Sequence, residues 1–138
     1  MREILFKAKR LDNGEWVEGN LITNERNENQ KYIGYIFDER NGVIEDFDLV
    51  EVIPETICQY TGLTDKAGRK IWENDIVVEK YKGRIAVKYR IVFDLEEGSW
   101  MLETRSGARY GIGSINQKDF DVIGNIFDNE EMLDVERC

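Results

Sequence analysis

The 138-residue sequence contains no histidine, one proline and two cysteines. Without histidine, the chain cannot form His-ligated zinc sites, Ser-His or Cys-His nucleophile pairs, or the usual charge switch near neutral pH. It also lacks an apolar run near the ~20 residues that span a bilayer, and its first residues lack the long apolar region of a signal peptide. We therefore expect a cytoplasmic protein that has no membrane partner.

The two cysteines, Cys58 and Cys138, lie in a predicted strand and at the last position of the sequence. A disulfide between them would tie the end of the chain to its central segment. Intracellular chains with two cysteines usually keep both as thiols, so the sequence favours thiols and leaves pairing as the alternative.

Charge is abundant, and its distribution is uneven. The formal net charge is −9, which disfavours general binding to nucleic acid because contacts with the phosphate backbone dominate such affinity. Residues 65–90 nevertheless hold eight Lys or Arg against four Asp or Glu. Residues 119–138 hold seven acids against Arg137 alone. With 41% hydrophobic and 11% aromatic residues, the chain is expected to fold by itself.

Short apolar and β-branched runs separated by turn signals predict an all-β protein. Asn13-Gly14 and Asn41-Gly42 are typical of tight hairpins. The pattern predicts two packed small sheets or barrels, residues 1–55 and residues 56–138, the second of them SH3-like. Asp128 and Glu131 have the spacing of a capping box, which predicts one short C-terminal helix through Leu133.

The central segment, residues 57–78, interleaves turn signals with apolar positions most tightly. Asp65 to Gly68 has the composition of a turn, and Asn74-Asp75 supplies a second one. The two turns bracket Ile71-Trp72, and a β-branched run, Ile76 to Val78, follows. We predict strand, turn, apolar elbow, turn, strand.

This segment also resembles a known family. The run Gln-Tyr-Thr-Gly-Leu-Thr-Asp-Lys-Ala-Gly-Arg-Lys-Ile-Trp-Glu-Asn-Asp-Ile-Val is similar to the signature of the YopX family of phage and prophage proteins, and Val122 to Asn129 resembles its C-terminal motif. Trp72 stands where the family usually has Tyr, and Asn74 where it usually has Gly, which favours a positive φ at Asn74. The resemblance implies a small accessory protein in the cytoplasm of a bacterial host, and no activity or functional residues.

Four residues of the central segment are candidates for contact with a partner: Tyr60, Trp72, Asn74 and Asp75. Buried aromatic residues dominate interface energetics, and Trp72 next to a turn is a candidate anchor if it is partly exposed. Tryptophans more often belong to the core, which is the preferred interpretation of Trp72.

A second candidate set is basic: Lys80, Lys82, Arg84, Lys88 and Arg90. Strand alternation predicts that the odd-numbered residues from 85 to 91 face inward and that residues 84, 88 and 90 face solvent. Ordinary strand patterning explains this stripe, and it places Tyr81 and Tyr89 on the opposite, core face. The alternative is a single-stranded nucleic-acid site in which those tyrosines stack on bases.

No constellation of carboxylates, lysines, tyrosines and Cys58 indicates an enzyme, and the sequence suggests no cofactor and no metal. We expect a non-catalytic phage accessory protein that binds another protein, including one of the host, or that forms homo-oligomers through exposed strand edges.

Overall fold

A computed structural model describes residues 2–114 and 119–134. These residues are mostly strand, which confirms the all-β class. The strands are β1 (Phe6–Lys9), β2 (Trp16–Thr23), β3 (Lys31–Arg40), β4 (Val43–Val52), β5 (Cys58–Thr64), β6 (Lys70–Trp72), β7 (Asp75–Tyr81), β8 (Arg84–Asp94), β9 (Ser99–Glu103), β10 (Arg109–Gly111) and β11 (Phe120–Asn125). Single-turn 3-10 helices cover Pro54–Thr56 and Ile112–Ser114, and a short α-helix, α1, covers Glu131–Asp134. None of the helices in the described ranges is long and apolar enough to cross a bilayer.

The C-terminal helix starts later than the capping box predicts. With Asp128 as N-cap the first helical residue would be Asn129, whereas α1 begins at Glu131. The Asn125 side chain accepts the N–H groups of Phe127 and Asp128, each at 2.9 Å. The chain therefore makes an Asx turn after β11, and the helix follows that turn.

The first sheet has the strand order β4-β3-β2-β1-β5-β6. The Leu11 N–H donates to the Glu51 carbonyl at 3.0 Å, and the Ile53 N–H donates to the Lys9 carbonyl at 2.8 Å. These bonds join the end of β1 to the end of β4, so the first four strands close on themselves. The buried side chains of their core are Ala8, Ile33 and Val52, with Phe6, Val17, Leu21 and Ile57 packed against them.

The close approach of β2 and β3 requires a glycine at position 19. A Cβ on Gly19 would overlap the carbonyl oxygen of Gly34 and lie 2.9 Å from the Ile33 Cγ2 atom. The oxygen belongs to backbone, which does not move aside as a flexible side chain does. Any larger residue at position 19 therefore separates the two strands.

β3 and β4 extend well beyond the closed part of the sheet. β2 stops pairing with β3 at Gly34, whereas β3 and β4 stay paired as far as Arg40 and Val43. Asn41 and Gly42 have φ values of 54° and 78°, as the Asn-Gly signal predicts for a two-residue hairpin turn. Residues 35–48 thus form a two-stranded ribbon, here named the hairpin arm, and β4 is an edge strand.

The second sheet is antiparallel and has the order β10-β9-β8-β7-β11. Its strands present β-branched and aromatic side chains to one core, as period-two patterning requires. The buried members of that core are Ile71, Val77, Tyr89, Ile91, Leu102 and Phe120.

The central segment has the predicted order of strand, turn, short strand, turn and strand, formed by β5, β6 and β7. In the first turn the Asp65 Oδ1 atom accepts the Ala67 N–H at 3.0 Å, and Gly68 has a φ of 82°. In the second turn Asn74 has a φ of 69°. The positive φ predicted for Asn74 is therefore confirmed.

Contacts divide the chain into residues 1–60 and residues 61–138, and this boundary falls inside β5. The boundary predicted from the sequence, between residues 55 and 56, lies slightly earlier in the chain. Cys58 is buried, and its thiol donates to the Thr56 carbonyl at 3.3 Å. Cys138 lies outside the described residues, so the expected absence of a disulfide stays a prediction.

Candidate protein-interaction surface

The four candidate contact residues of the central segment belong to the scaffold. Tyr60, Trp72 and Asp75 are buried, and Trp72 is only 5% exposed. The Asp75 Oδ2 atom accepts the Trp72 N–H at 2.8 Å, which fixes the backbone of β6 against the start of β7. The interpretation of Trp72 as a core residue is confirmed, and the alternative of a partly exposed anchor is wrong.

Asn74, the fourth candidate, is half-buried and links three parts of the second unit. Its N–H donates to the Ile91 carbonyl at 2.8 Å, and its carbonyl accepts the Ile126 N–H at 3.0 Å. Its side-chain Oδ1 atom accepts from Arg90 Nη2 at 2.9 Å. A residue with a positive φ and these three attachments has a structural role.

The five residues of the predicted basic stripe do not form one exposed face. Lys88 is 7% exposed, and its Nζ atom donates to the Met132 carbonyl at 2.7 Å. Arg90 is engaged with Asn74, and the Lys80 Nζ atom lies 3.5 Å from an Asp121 carboxylate oxygen. The prediction that Lys88 faces solvent is therefore wrong, whereas Arg90 is partly exposed.

A β-bulge explains part of this difference. Glu79 pairs with Val87, but Lys80 pairs with Ile85, so Ala86 is an extra residue in β8. Beyond the bulge the alternation changes phase, and Ile85, predicted to face inward, is 51% exposed. Period-two reasoning holds only up to the bulge.

The other two basic residues lie at the end of the β7–β8 hairpin. Residues 80–85 form this end, here named the basic tip, and Lys82 and Gly83 make its turn with φ values of 50° and 76°. Lys82 and Arg84 are exposed. Tyr81, predicted to lie in the core, is 69% exposed, whereas Tyr89 is buried as predicted.

A buried carboxylate organises the first turn of the central segment. The Asp65 side chain has no exposed area, and it accepts backbone N–H groups from Ala67 at 3.0 Å, Arg69 at 2.9 Å and Val122 at 3.0 Å. The Arg69 Nε atom donates to it at 2.9 Å. Burial opposes the charged form, but the N–H groups of Val122 and Arg69 and the Arg69 guanidinium lower the pKa of Asp65 overall.

The most apolar exposed surface of the described residues lies on and beside the hairpin arm. Seven large hydrophobic side chains there are between 43% and 66% exposed: Ile22, Ile36, Phe37, Val43, Ile44, Phe47 and Leu49. Ile36 and Phe47 are directly opposite each other on the paired strands. Single exposed apolar residues need no explanation, but five of these seven, Ile22, Ile36, Ile44, Phe47 and Leu49, line one concavity, and a group of this kind marks an interaction site.

A concavity of about 320 Å³ lies in this apolar surface. Gly34 forms its floor, because a Cβ there would lie 2.9 Å from the Ile22 Cδ1 atom and 3.6 Å from the Leu49 Cδ1 atom. Its lining residues are Asn20, Ile22, Gly34, Tyr35, Ile36, Ile44, Phe47 and Leu49. The volume corresponds to about ten water molecules, so an aromatic side chain can enter it.

The hairpin arm is acidic. It contains five acids, Asp38, Glu39, Glu45, Asp46 and Asp48, against Arg40 alone, a net charge of −4. Arg40 lies 3.7 Å from Asp38. The residues that line the apolar concavity and the acids of the hairpin arm are together named the arm surface.

A second concavity, also of about 320 Å³, has a mixed lining of charged and apolar side chains: Arg10, Leu11, Asp12, Asp48, Leu49, Val50 and Glu51. Arg10 and Asp12 are joined at 3.0 Å, and that hydrogen bond lowers the pKa of Asp12 and raises the pKa of Arg10. The Tyr35 hydroxyl donates to Asp48 at 3.2 Å. The shifts at Arg10 and Asp12 keep both side chains charged. Neither pKa is therefore moved toward neutral pH, as a general acid or base requires.

The sequence analysis did not identify the arm surface. The signal was present in the alternation of Asp46, Phe47, Asp48 and Leu49, which separates acids from apolar side chains. Alternation identifies two faces but does not tell which face a neighbouring element covers. Within residues 2–114 and 119–134, no cluster of three or more Cys, Asp or Glu side chains has the arrangement of a metal site.

Comparison with known proteins bears on both the fold and the family. A crystal structure of protein EF1440 from Enterococcus faecalis is similar, with a TM-score of 0.58 and 22% sequence identity over 96% of this chain and 99% of that chain. That likeness shows a shared fold. A search of curated proteins found no match. The family described as YopX protein matches residues 5–134, nearly the whole chain. The resemblance seen in the central segment is thereby confirmed, and the chain belongs to the YopX protein family.

Proposed function

We propose that this protein is a non-catalytic protein-interaction module of a phage or prophage, and that the arm surface is its contact site. The observation that carries the proposal is the group of seven exposed hydrophobic side chains on and beside the hairpin arm. Non-polar side chains on this exposed ribbon expose apolar area to water, which is unfavourable in free energy. A partner that covers them removes this unfavourable exposure.

The energetics favour a partner that contributes charge as well as apolar area. Burying seven half-exposed side chains yields roughly 7 kcal/mol, taking about 1 kcal/mol for each as half of a full burial. Association costs about 4–15 kcal/mol in lost freedom of motion. Apolar burial by itself therefore supports only weak binding, and cations that meet the acids of the hairpin arm supply the specificity.

The nucleic-acid alternative has less support. It required one exposed basic stripe, but Lys88 is buried and Arg90 and Lys80 are engaged with Asn74 and Asp121. Within the predicted stripe, exposed cations lie beside an exposed aromatic ring at the basic tip. The end of one hairpin does not form the groove that tracks a phosphate backbone.

The test compares capture of host proteins by three immobilised chains. The first is wild type, and the second is a double variant, Ile36→Ser with Phe47→Ser, which removes the central apolar pair of the arm surface. The third is Leu95→Ser, a matched control, because Leu95 is 88% exposed and lies outside the arm surface. Wild type and Leu95→Ser are expected to retain a common protein that the double variant loses.

Folding of the double variant is checked by circular dichroism and urea unfolding. Exposed cross-strand pairs contribute about 0.2–1 kcal/mol, so its stability is expected to fall by no more than about 1 kcal/mol. If a folded double variant retains the same proteins in the same amounts as wild type, the arm surface is not the contact site.

A further inference from the structure

The basic tip has a composition complementary to the arm surface. Residues 80–85 read Lys-Tyr-Lys-Gly-Arg-Ile, a net charge of +3 without an acid. Tyr81 is 69% exposed and Ile85 is 51% exposed. The tip therefore presents two apolar side chains among cations, whereas the hairpin arm combines the apolar concavity with a net charge of −4.

The cations of the basic tip remain available. The Lys82 Nζ atom lies 5.5 Å from the centre of the Tyr81 ring, and Arg84 is directly opposite Tyr81 in the hairpin. Among the described residues, neither Lys82 nor Arg84 has an ion pair, whereas Lys80 lies 3.5 Å from Asp121. An aromatic ring with two cations beside it suits an apolar concavity on an arm that carries an excess of acids.

From this complementarity we propose that the arm surface is occupied by the basic tip of a second copy of this chain, so that the protein assembles head to tail. The inference rests on the proposed function and names its partner. Tyr81 enters the concavity above Gly34, and Lys82 and Arg84 of the same copy meet the acids of the hairpin arm.

Charge distinguishes this contact from the simpler pairing of two β4 edges. Antiparallel pairing of two β4 strands centred on Phe47 would place Asp46 of each copy opposite Asp48 of the other. Like charges directly opposite each other destabilise a strand pair. The head-to-tail contact instead brings +3 against −4, and a symmetric dimer through β4 is disfavoured.

A head-to-tail contact has a specific consequence for assembly. Each bound pair still presents one arm surface and one basic tip, so the assembly grows with concentration unless rotation closes a ring. High salt is expected to weaken it, because the charges meet at an exposed surface.

The experiment is sedimentation velocity over a range of concentrations, in low and in high salt. The arm variant is Ile36→Ser with Phe47→Ser, and the tip variant is Tyr81→Ser with Arg84→Glu. Wild type and the Leu95→Ser control are expected to exceed the 16.2 kDa monomer mass increasingly with concentration. Each variant by itself is expected to remain a monomer.

The decisive sample is an equal mixture of the two variants. The arm variant keeps a functional tip and the tip variant keeps a functional arm, so the mixture is expected to form a heterodimer. Growth stops at that dimer, because its remaining arm and tip are the altered ones. If the contact were symmetric, mixing the two variants would not restore assembly.

Two results overturn the inference. One is a wild-type protein that stays monomeric at every concentration, and the other is a mixture that stays monomeric although wild type assembles. If either occurs while capture of another protein still depends on Ile36 and Phe47, the proposed function stands and only the identity of the partner is wrong.

Discussion

Replacement of Asp65 by Asn probes the buried carboxylate of the central segment. Asn keeps one side-chain oxygen, which still accepts the N–H groups of Ala67 and Arg69. The amide nitrogen replaces the Oδ2 atom, which in the wild type accepts the Val122 N–H at 3.0 Å and the Arg69 Nε at 2.9 Å. The Val122 N–H and the Arg69 Nε–H groups then both face the N–H groups of the new amide, which cannot accept from them, at a buried side chain.

The expected cost is dominated by these two lost hydrogen bonds. Hydrogen bonds to a charged group contribute about 1.5–3 kcal/mol each. The bond from Arg69 contributes less than the bond from Val122, because the Arg69 side chain is half-exposed and water replaces its lost partner. We expect Asp65→Asn to lower the free energy of unfolding by about 3 kcal/mol at neutral pH. Asp12→Asn, at an exposed carboxylate paired with Arg10, is the matched control and should cost less than about 1 kcal/mol.

The effect of Asp65→Asn should also depend on pH. The pKa of Asp65 is lowered in the folded state, so its ionised form stabilises the fold above the ordinary value of 3.8. That contribution is lost as the pH falls through the lower, folded-state pKa. The difference in stability between wild type and Asp65→Asn should therefore shrink in acid. The difference between wild type and Asp12→Asn should already be small at neutral pH.

Urea unfolding followed by tryptophan fluorescence measures both effects. In a Trp16→Phe background the signal comes from Trp72 and Trp100, which lie in the same unit as Asp65. A midpoint for Asp65→Asn that matches wild type at neutral pH would refute the hydrogen-bond argument. A stability difference that stays constant from neutral pH into acid would refute the linkage argument.

The remaining predictions concern close packing, backbone conformation and nucleic acid. Gly19→Ala should lower the free energy of unfolding by more than about 2 kcal/mol, because the new Cβ overlaps the Gly34 carbonyl oxygen. Gly111→Ala is the control and should change the free energy of unfolding little, because no atom lies within 4 Å of its new Cβ. Equal urea midpoints for the two variants would contradict this prediction. Asn74→Ala should cost about 2–4 kcal/mol, since it loses the bond to Arg90 and strains a positive φ, while Asn74→Gly should cost clearly less. A reversed order would show that φ is not the constraint. Fluorescence anisotropy with short single-stranded DNA and RNA should show no binding even at low salt, and salt-sensitive binding would revive the nucleic-acid alternative.

Turn chemistry explains most of what the sequence predicts correctly. Asn41-Gly42, Gly68 and Asn74 adopt positive φ values because residue type by itself makes that conformation accessible. The order of strands in the central segment follows from these turns. Such features depend on a few neighbouring residues, so they can be derived without knowledge of the rest of the fold.

Features that depend on distant strands could not be derived in this way. Lys88 follows the same alternation as Arg84, yet it is buried and contacts the carbonyl of Met132, 44 positions away. The extra residues Phe37 and Ala86, at breaks in strand register, have no distinctive sequence signal. Phe47 looks like a core residue until the β2–β3 pairing is seen to stop at Asn20 and Gly34, which leaves no third strand of the described residues beside the hairpin arm.

The hydrogen bond between Asp65 and Val122 has a consequence for how the chain is made. The two residues are 57 positions apart, and Val122 lies in β11, which is synthesised after the other strands of the described residues. Until β11 is added, β7 has β8 on only one side, and its Ile76, Val77 and Val78 run lies at an open strand edge. β1 to β4 need only contacts among the first 60 residues, so they can be complete while β11 is still being translated. A truncation that removes β11 is therefore expected to leave residues 61–111 prone to aggregation, while the first four strands stay folded.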